Sequence, residues 1–141
     1  YHTPEEAQGN LDKYEGFERM VENNRMYVEQ AKVILNVAER PESAIFLGRC
    51  ADYILRNRKD VFSFFIYADD DFRAERGKLK YHGMSLKELN REENRRKQYY
   101  EFYTGQRWGD PTNYDMMINT SGISLETAAN TILAYIQFCR S

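Results

Sequence analysis

The sequence predicts a helix-rich, three-layer α/β fold built around a short parallel sheet. Three short apolar runs, at 44–47, 61–67 and 116–119, have the length and the flanking turn residues of buried strands. Stretches with helical spacing of apolar residues separate these runs. Strands that alternate with helices form parallel sheets with crossover helices. The length of 141 residues is that of one domain.

The composition excludes several classes of function. The 20 basic and 22 acidic residues give a formal net charge of −2, whereas non-specific nucleic-acid binders usually carry a basic excess. No apolar run is long enough to span a membrane, and no signal peptide is visible. The two cysteines, Cys50 and Cys139, fit neither a disulfide framework nor a metal motif. We therefore expect a cytoplasmic protein that binds neither nucleic acid nor membrane and has no metal-ligating residues.

The N-terminal stretch predicts a helix. Thr3 is a candidate N-cap, and Pro4 suits the first helical position. Apolar residues then recur at helical steps as far as Ala38. Gly16 and Asn23 weaken the middle of this stretch, so it predicts either two helices or one bent helix.

The next elements alternate between strand and helix. The first strand, 44–47, leads into a helix that stops near Arg58. The second strand, 61–67, leads into a helix whose start Asp69 and Asp70 can cap. Each strand is thus followed by a helix, as a parallel connection requires.

The remaining elements have clear local signals. Ser85 and Glu88 predict a capping box at the start of a long, highly charged helix that ends before Gly105. A loop then leads to the third strand, 116–119, and Ser124 can cap a final helix.

Arg49 and Asp52 follow the first strand, and parallel sheets bind ligands beyond the carboxyl ends of their strands. The planar guanidinium of Arg49 could hold a carboxylate, a phosphate or a base edge. Asp52, three residues on and on the same helical face, could accept a hydrogen bond from an amine or hydroxyl. The alternative is an Arg–Asp ion pair that only stabilises the first helical turn. The position at a strand end favours a binding site.

The long charged helix places Arg91 and Arg95 one turn apart, where they repel each other. A phosphate bound between them would relieve this repulsion. The alternative is a solvated face, because two Glu residues precede basic residues by four, the favourable order for helix ion pairs. The pairs in that order are Glu92–Arg96 and Glu93–Lys97. The charge pattern by itself favours the solvated face.

Two further clusters fit structural roles better than chemical ones. The carboxylates at 69–71 could hold a metal, but acids at a helix start are favoured by capping and by the helix dipole. The dense aromatic residues between Tyr99 and Trp108 are typical of a packed corner rather than a base-stacking platform.

Several segments resemble the bacterial cytidylate kinase-like family. Residues 44–55, AIFLGRCADYIL, are similar to the family's VGRCADYIL element. Residues 95–105 and 108–115 are similar to its RRxxYYxYYTGxxWGDPxNYD element, and 118–121 fit its final strand. The resemblance covers about Met26 to Phe138.

The resemblance implies an enzyme that transfers the γ-phosphoryl group of ATP, with Mg²⁺, to CMP or a related nucleoside monophosphate. Carried over by position, Arg49 and Asp52 would contact the acceptor nucleotide. Arg76 would sit at the entry to a mobile lid, and Arg95 and Arg96 would reach the transferring phosphates. Phosphoryl transfer needs positioning and positive charge around the phosphate oxygens, which agrees with these roles.

The resemblance also implies a single P-loop kinase-like domain over residues 1–141 with a lid at 69–110. The chain departs from the family's pattern because it contains no G-x-x-x-x-G-K-[ST] phosphate loop. The family places that loop after a first strand in the middle of the sheet. Without it this chain alone would be inactive.

Three explanations of the departure stay open. The chain is a fragment, or a divergent member without ATP binding, or a chain that a neighbour completes. The start at Tyr1 rather than Met favours the fragment. The second functional class is a non-catalytic kinase-like module that self-associates or binds a partner through an unpaired strand edge.

Overall fold

A computed structural model describes residues 4–80 and 82–141 of the chain, with side chains from residue 15 onward. The chain divides into two compact units, Tyr1–Leu55 and Arg56–Ser141. The helices are α1 (Pro4–Ala38), α2 (Ala51–Ile54), α3 (Asp70–Lys80), α4 (Leu86–Thr104) and α5 (Leu125–Arg140). The strands are β1 (Phe64–Tyr67) and β2 (Met116–Asn119), and a 3-10 turn covers Pro111–Asn113. These elements confirm a helix-rich α/β chain with a short parallel sheet.

The first unit is built on α1, which is one continuous helix of 35 residues. Gly16 therefore does not interrupt it, and the described helix is single rather than divided. The predicted cap at Thr3 lies outside the described residues. α1 packs against α2, and the buried apolar side chains of this unit are Ile34, Cys50, Ala51 and Leu55.

The prediction of a buried strand at 44–47 is wrong for this structure. These residues form no strand, and Ile45 and Leu47 are 92% and 86% exposed. A strand needs a neighbour to pair its backbone N–H and C=O groups, and no described residue pairs with this run. Its apolar composition alone was therefore not sufficient to form a strand.

The sheet of the second unit consists of β1 and β2, which run parallel. Phe64 lies opposite Met116, and Tyr67 lies opposite Asn119. β2 has the predicted bounds, whereas β1 is shorter than the predicted 61–67. Because the strands are parallel, their carboxyl ends meet at one edge of the sheet.

Local capping signals set the helix boundaries of this unit. Ser85 Oγ accepts a hydrogen bond from the N–H of Glu88 at 3.2 Å, and Ser124 Oγ accepts one from Thr127 at 3.0 Å. Gly105 ends α4 with a φ of 69°, a left-handed conformation that favours glycine. None of the described helices is both long enough and apolar enough to cross a membrane.

Aromatic rings pack around β1 to form the corner expected from their density. The ring of Phe65 lies 5.0 Å from that of Trp108 and 5.1 Å from that of Tyr114, between centroids. Phe64 contacts Tyr135 of α5 edge-on at 5.8 Å. Tyr100 is buried, and its hydroxyl donates to Gln106 Oε1 at 2.9 Å. The loop after α4 is therefore fixed against the sheet.

Candidate functional site

The turn before α2 has an unusual backbone. Gly48, Arg49 and Cys50 all have a positive φ, of 63°, 60° and 58°. A left-handed conformation costs a residue with a side chain about 1–2 kcal/mol, so the surrounding structure must hold this turn in place. Cys50 supplies an anchor because it is only 4% exposed. Arg49, next to that anchor, is exposed to solvent.

Arg49 and Asp52 do not share a helical face, so this part of the prediction is wrong. α2 begins at Ala51, and the left-handed Arg49 lies outside it. Helical i, i+3 spacing therefore does not apply to the pair. Within the part of the chain that the structure describes, Arg49 forms no ion pair. The alternative interpretation, an Arg49–Asp52 pair that only stabilises the first helical turn, therefore does not explain how this turn is held. The Arg49 side chain is exposed and open to a ligand, and Asp52 lies in the first turn of α2.

Burial, with a smaller contribution from the Asp52 carboxylate, raises the pKa of the Cys50 thiol to about 11. A thiol at neutral pH is then protonated and a poor nucleophile. Because this pKa lies above the ordinary 9.0, the contribution of Cys50 to the free energy of unfolding is fully present below pH 9 and is lost as pH rises through about 11.

We expect iodoacetamide at neutral pH to alkylate the exposed Cys139 and to spare Cys50 in the folded chain. Mass spectrometry of the digested protein measures the two sites separately. The chain unfolded in urea is the control, in which both thiols should react. Equal labelling of Cys50 and Cys139 in the folded chain would contradict this account of the turn.

Arg73 joins α3 to α4. Its guanidinium donates to Asn90 Oδ1 at 2.7 Å and lies 3.3 Å from Glu93 Oε2. It also pairs with Asp70 on its own helix at 3.3 Å. The Arg73 side chain is only 18% exposed, so solvent screens these contacts less than those of a surface pair. α3 and α4 thus form a packed hairpin, which is the region predicted to be a lid.

The charges of α4 are not paired as the sequence predicts. Glu93 pairs with Arg73 of α3, and Glu92 pairs with Arg95 at 3.2 Å. The expected Glu92–Arg96 and Glu93–Lys97 pairs do not form, because each carboxylate has another partner. Glu93 pairs with the partly buried Arg73, and Glu92 pairs with Arg95, which is one residue nearer along the helix than Arg96. Among the described residues, Arg96 and Lys97 have no carboxylate partner. The face is therefore more positive than a self-neutralised helix.

The predicted lid arginines are only partly brought together. Arg76 lies on α3, and Arg95 and Arg96 are neighbours on α4. Arg95 lines an open groove with Lys87 and Arg91, as an anion bound between Arg91 and Arg95 would require. Adjacent residues on a helix point about 100° apart, so Arg95 and Arg96 face different directions.

A polar network lies at the carboxyl ends of the two strands. Asn119 Nδ2 donates to Asp69 Oδ1 at 3.0 Å, and the Asp69 N–H donates to Ser121 Oγ at 2.7 Å. The sequence analysis placed Asn119 and Ser121 in or after the third strand but assigned a functional role to neither of them, nor to Arg73. Applying the strand-end rule to the third strand would have found the first two.

The carboxylates at 69–71 do not form a metal centre. Asp69 accepts from Asn119, and Asp70 pairs with Arg73. No cluster of three or more His, Cys, Asp or Glu side chains in the described ranges, 15–80 and 82–141, could hold a metal ion. In the structure Asp69 and Asp70 are engaged in contacts at the start of α3.

Comparisons with known proteins give a consistent result. The sequence model of the cytidylate kinase-like family matches residues 3–122. A solved structure of an uncharacterized protein from Eubacterium ventriosum ATCC 27560 is 30% identical in sequence, with a TM-score of 0.73. The match covers 79% of this chain and 64% of that chain, so this chain spans less than two thirds of that protein's length. Among curated proteins the comparison finds no match.

Proposed function

This chain belongs to the cytidylate kinase-like family, and from that premise we propose that it carries the acceptor site and the lid of a nucleoside-monophosphate kinase. The acceptor is CMP or a related monophosphate, and the phosphoryl donor is ATP. The observation that supports the proposal most is the Gly48–Cys50 turn, which presents an arginine without an ion pair to solvent. Phosphoryl transfer is proposed for the whole enzyme and not for this chain by itself.

In the acceptor site, Arg49 binds the phosphate of the monophosphate. A guanidinium offers two parallel N–H donors that match two phosphate oxygens. Asp52, in the first turn of α2, accepts a hydrogen bond from an amine or hydroxyl of the same nucleotide. The rigid left-handed turn holds the Arg49 backbone in place before the ligand arrives, which lowers the entropy lost on binding.

In the lid, Arg76, Arg95 and Arg96 bring positive charge to the transferring phosphoryl group. Charge of this kind stabilises the oxygens of the transition state. Arg95 already holds the Glu92 carboxylate, and a phosphate can replace that carboxylate as its partner. Binding of the phosphates to the α3–α4 hairpin would shield them from water that otherwise hydrolyses the donor.

The described side chains do not by themselves form a binding site for ATP or for Mg²⁺. ATP would supply the phosphoryl group, and Mg²⁺ would neutralise charge on its phosphates. The sequence has no phosphate loop, and the described side chains offer no metal-ligand cluster. We therefore assign no step to the ion.

A non-catalytic, self-associating module is the second candidate function. It is favoured by the exposed Ile45 and Leu47, at 92% and 86%. In the described sheet, β1 pairs with β2 on one edge only, and an unpaired strand edge is a template for another chain. Light scattering distinguishes the candidates, because a stable monomer at all concentrations would count against self-association.

Calorimetric titration with CMP and with ATP tests the proposed function. The 141-residue chain and the product of the whole reading frame are both titrated, with cytidine as the control that lacks the phosphate. We expect the 141-residue chain to bind the monophosphate, and the product of the reading frame to bind both nucleotides. If the product of the reading frame binds neither nucleotide, the kinase proposal is wrong.

A further inference from the structure

The long helix α1 carries apolar side chains on a face that the described part of the chain leaves uncovered. Every residue from 15 to 26 is exposed. The large apolar side chains of Phe17, Val21, Val28 and Leu35 are 59%, 41%, 49% and 47% exposed. Helices in proteins draw most of their stability from packing of an apolar face rather than from intrinsic propensity. A helix with such a face in water therefore favours a partner that covers it.

The side chains of this face follow a heptad spacing. The stripe that we call the α1 seam has alternating steps of four and three residues and consists of Phe17, Val21, Asn24, Val28, Ala31 and Leu35. Five of the six are exposed, and Ala31 is half-buried. Apolar residues that recur every 3.5 residues or so let two helices wrap around each other with interlocking side chains. The α1 seam therefore matches a second helix with the same spacing.

Charged residues lie along one flank of the α1 seam. Glu18, Arg25 and Lys32 follow one another there at seven-residue steps, and charges in such positions set the orientation of the two helices in a coiled coil. When two copies run antiparallel, this flank faces its own counterpart, and Glu18 of each copy lies beside Lys32 of the other. When they run parallel, it faces the opposite flank, whose three residues are uncharged: Met20, Tyr27 and Ile34. Charge complementarity therefore favours the antiparallel orientation.

Two further contacts involve the charged flank. Within one chain Lys32 pairs with Glu29 at 3.4 Å, and an ammonium group with three N–H donors can hold a second carboxylate as well. In the antiparallel arrangement Arg25 lies beside Arg25 of the other copy, at an exposed position where solvent and salt screen the repulsion. The two Glu18–Lys32 contacts outnumber this single repulsive one.

We propose that α1 forms the interface of an antiparallel homodimer, in which the α1 seam of one copy packs against that of a second copy. Three contacts, each made twice about a two-fold axis, are Phe17 with Leu35, Val21 with Ala31, and Asn24 with Val28. The interface extends about 27 Å along the helix, from residue 17 to residue 35. It uses neither the Gly48–Asp52 turn nor the run at 44–47, so it stands independently of both candidate functions.

Analytical ultracentrifugation of the 141-residue chain and of the product of the reading frame tests this proposal. We expect both to sediment with twice the mass of one chain and to dissociate on dilution. Val21→Lys/Val28→Lys places charge in the α1 seam and should weaken the dimer roughly tenfold or more for each lost valine. The matched control, Met26→Lys/Val33→Lys, changes two exposed apolar residues of the same helix outside the seam and should dimerise as the wild type does.

Exchange of charges tests the orientation. Glu18→Lys and Lys32→Glu each place like charges side by side in the antiparallel dimer, so each should weaken it roughly fivefold or more. Glu18→Lys/Lys32→Glu restores opposite charges at both contacts and should restore the affinity. Absence of this rescue would overturn the antiparallel arrangement.

The remaining outcomes separate this interface from other causes. A monomer at every concentration, or equal weakening by the seam variant and by Met26→Lys/Val33→Lys, would overturn the proposal. A monomeric product of the reading frame would also overturn it, because the seam would then be covered from within that product. Ile45→Ser/Leu47→Ser should leave the dimer intact. Loss of the dimer in that variant would assign the association to the run at 44–47 and overturn the role of α1.

Discussion

Replacing Arg49 by alanine should weaken CMP binding by about 1.5–3 kcal/mol, the usual cost of losing a hydrogen bond to a charged group. In the wild type the guanidinium is exposed, and the left-handed turn fixes its backbone. Alanine leaves the phosphate of the nucleotide without its bidentate partner. Calorimetry with CMP measures the loss, which corresponds to about 10- to 150-fold in Kd.

A glycine variant at the same position separates binding from folding. Arg49→Gly removes the guanidinium but suits the φ of 60°, because glycine adopts left-handed conformations without steric cost. We expect it to bind CMP as weakly as Arg49→Ala while the turn remains at least as stable. Arg19→Ala, on the exposed part of α1, is the charge-matched control and should bind normally. CMP affinity that is unchanged in Arg49→Gly would remove Arg49 from the acceptor site.

Gly77→Ala should destabilise the second unit by about 1–3 kcal/mol, as overpacking does. A Cβ added at Gly77 would lie 2.5 Å from the Met84 carbonyl oxygen and 2.9 Å from Leu89 Cδ1. The Met84 atom is backbone, so a side-chain rotation cannot relieve the clash, and α3 must move away from α4. Urea unfolding followed by circular dichroism measures the loss.

Gly16→Ala is the matched control for that experiment. Gly16 is also helical, but an added Cβ would meet nothing within 4 Å. Alanine there should leave the chain as stable or stabilise it by about 0.5–1 kcal/mol, the difference in helix propensity. Equal effects of the two substitutions would show that close α3–α4 packing does not limit the residue at 77.

The helix boundaries of the second unit could be predicted because they depend on local chemistry. Ser85 and Ser124 cap their helices through contacts with the N–H groups of residues three positions on. Gly105 ends α4 through its own backbone preference. The bounds of β2 were also predicted, because Met116–Asn119 is a short apolar run between turn signals.

The predictions that failed depend on partners distant in sequence. The run at 44–47 has the composition of a strand, but pairing decides whether it becomes one. Glu93 lies four residues before Lys97, yet it pairs with Arg73, which is 20 residues earlier and partly buried. Neither fact can be read from spacing along a single helix.

The geometry of the proposed acceptor site could not be predicted from the sequence. The strand-end rule singled out Arg49 and Asp52 after a run, 44–47, that forms no strand, and helical spacing placed the two residues on one face, although α2 begins only at Ala51. Of the three residues with a positive φ in this turn, only Gly48 indicates it in the sequence, because arginine and cysteine rarely adopt a positive φ.

Binding of a phosphate monoester at the Gly48–Asp52 turn is tested most directly by the backbone amide chemical shifts of the labelled chain during titration with CMP. The largest saturable changes should fall on the amides of residues 48–53, and cytidine should produce much smaller ones. If saturating CMP leaves those amides unchanged, the acceptor nucleotide does not bind at this turn.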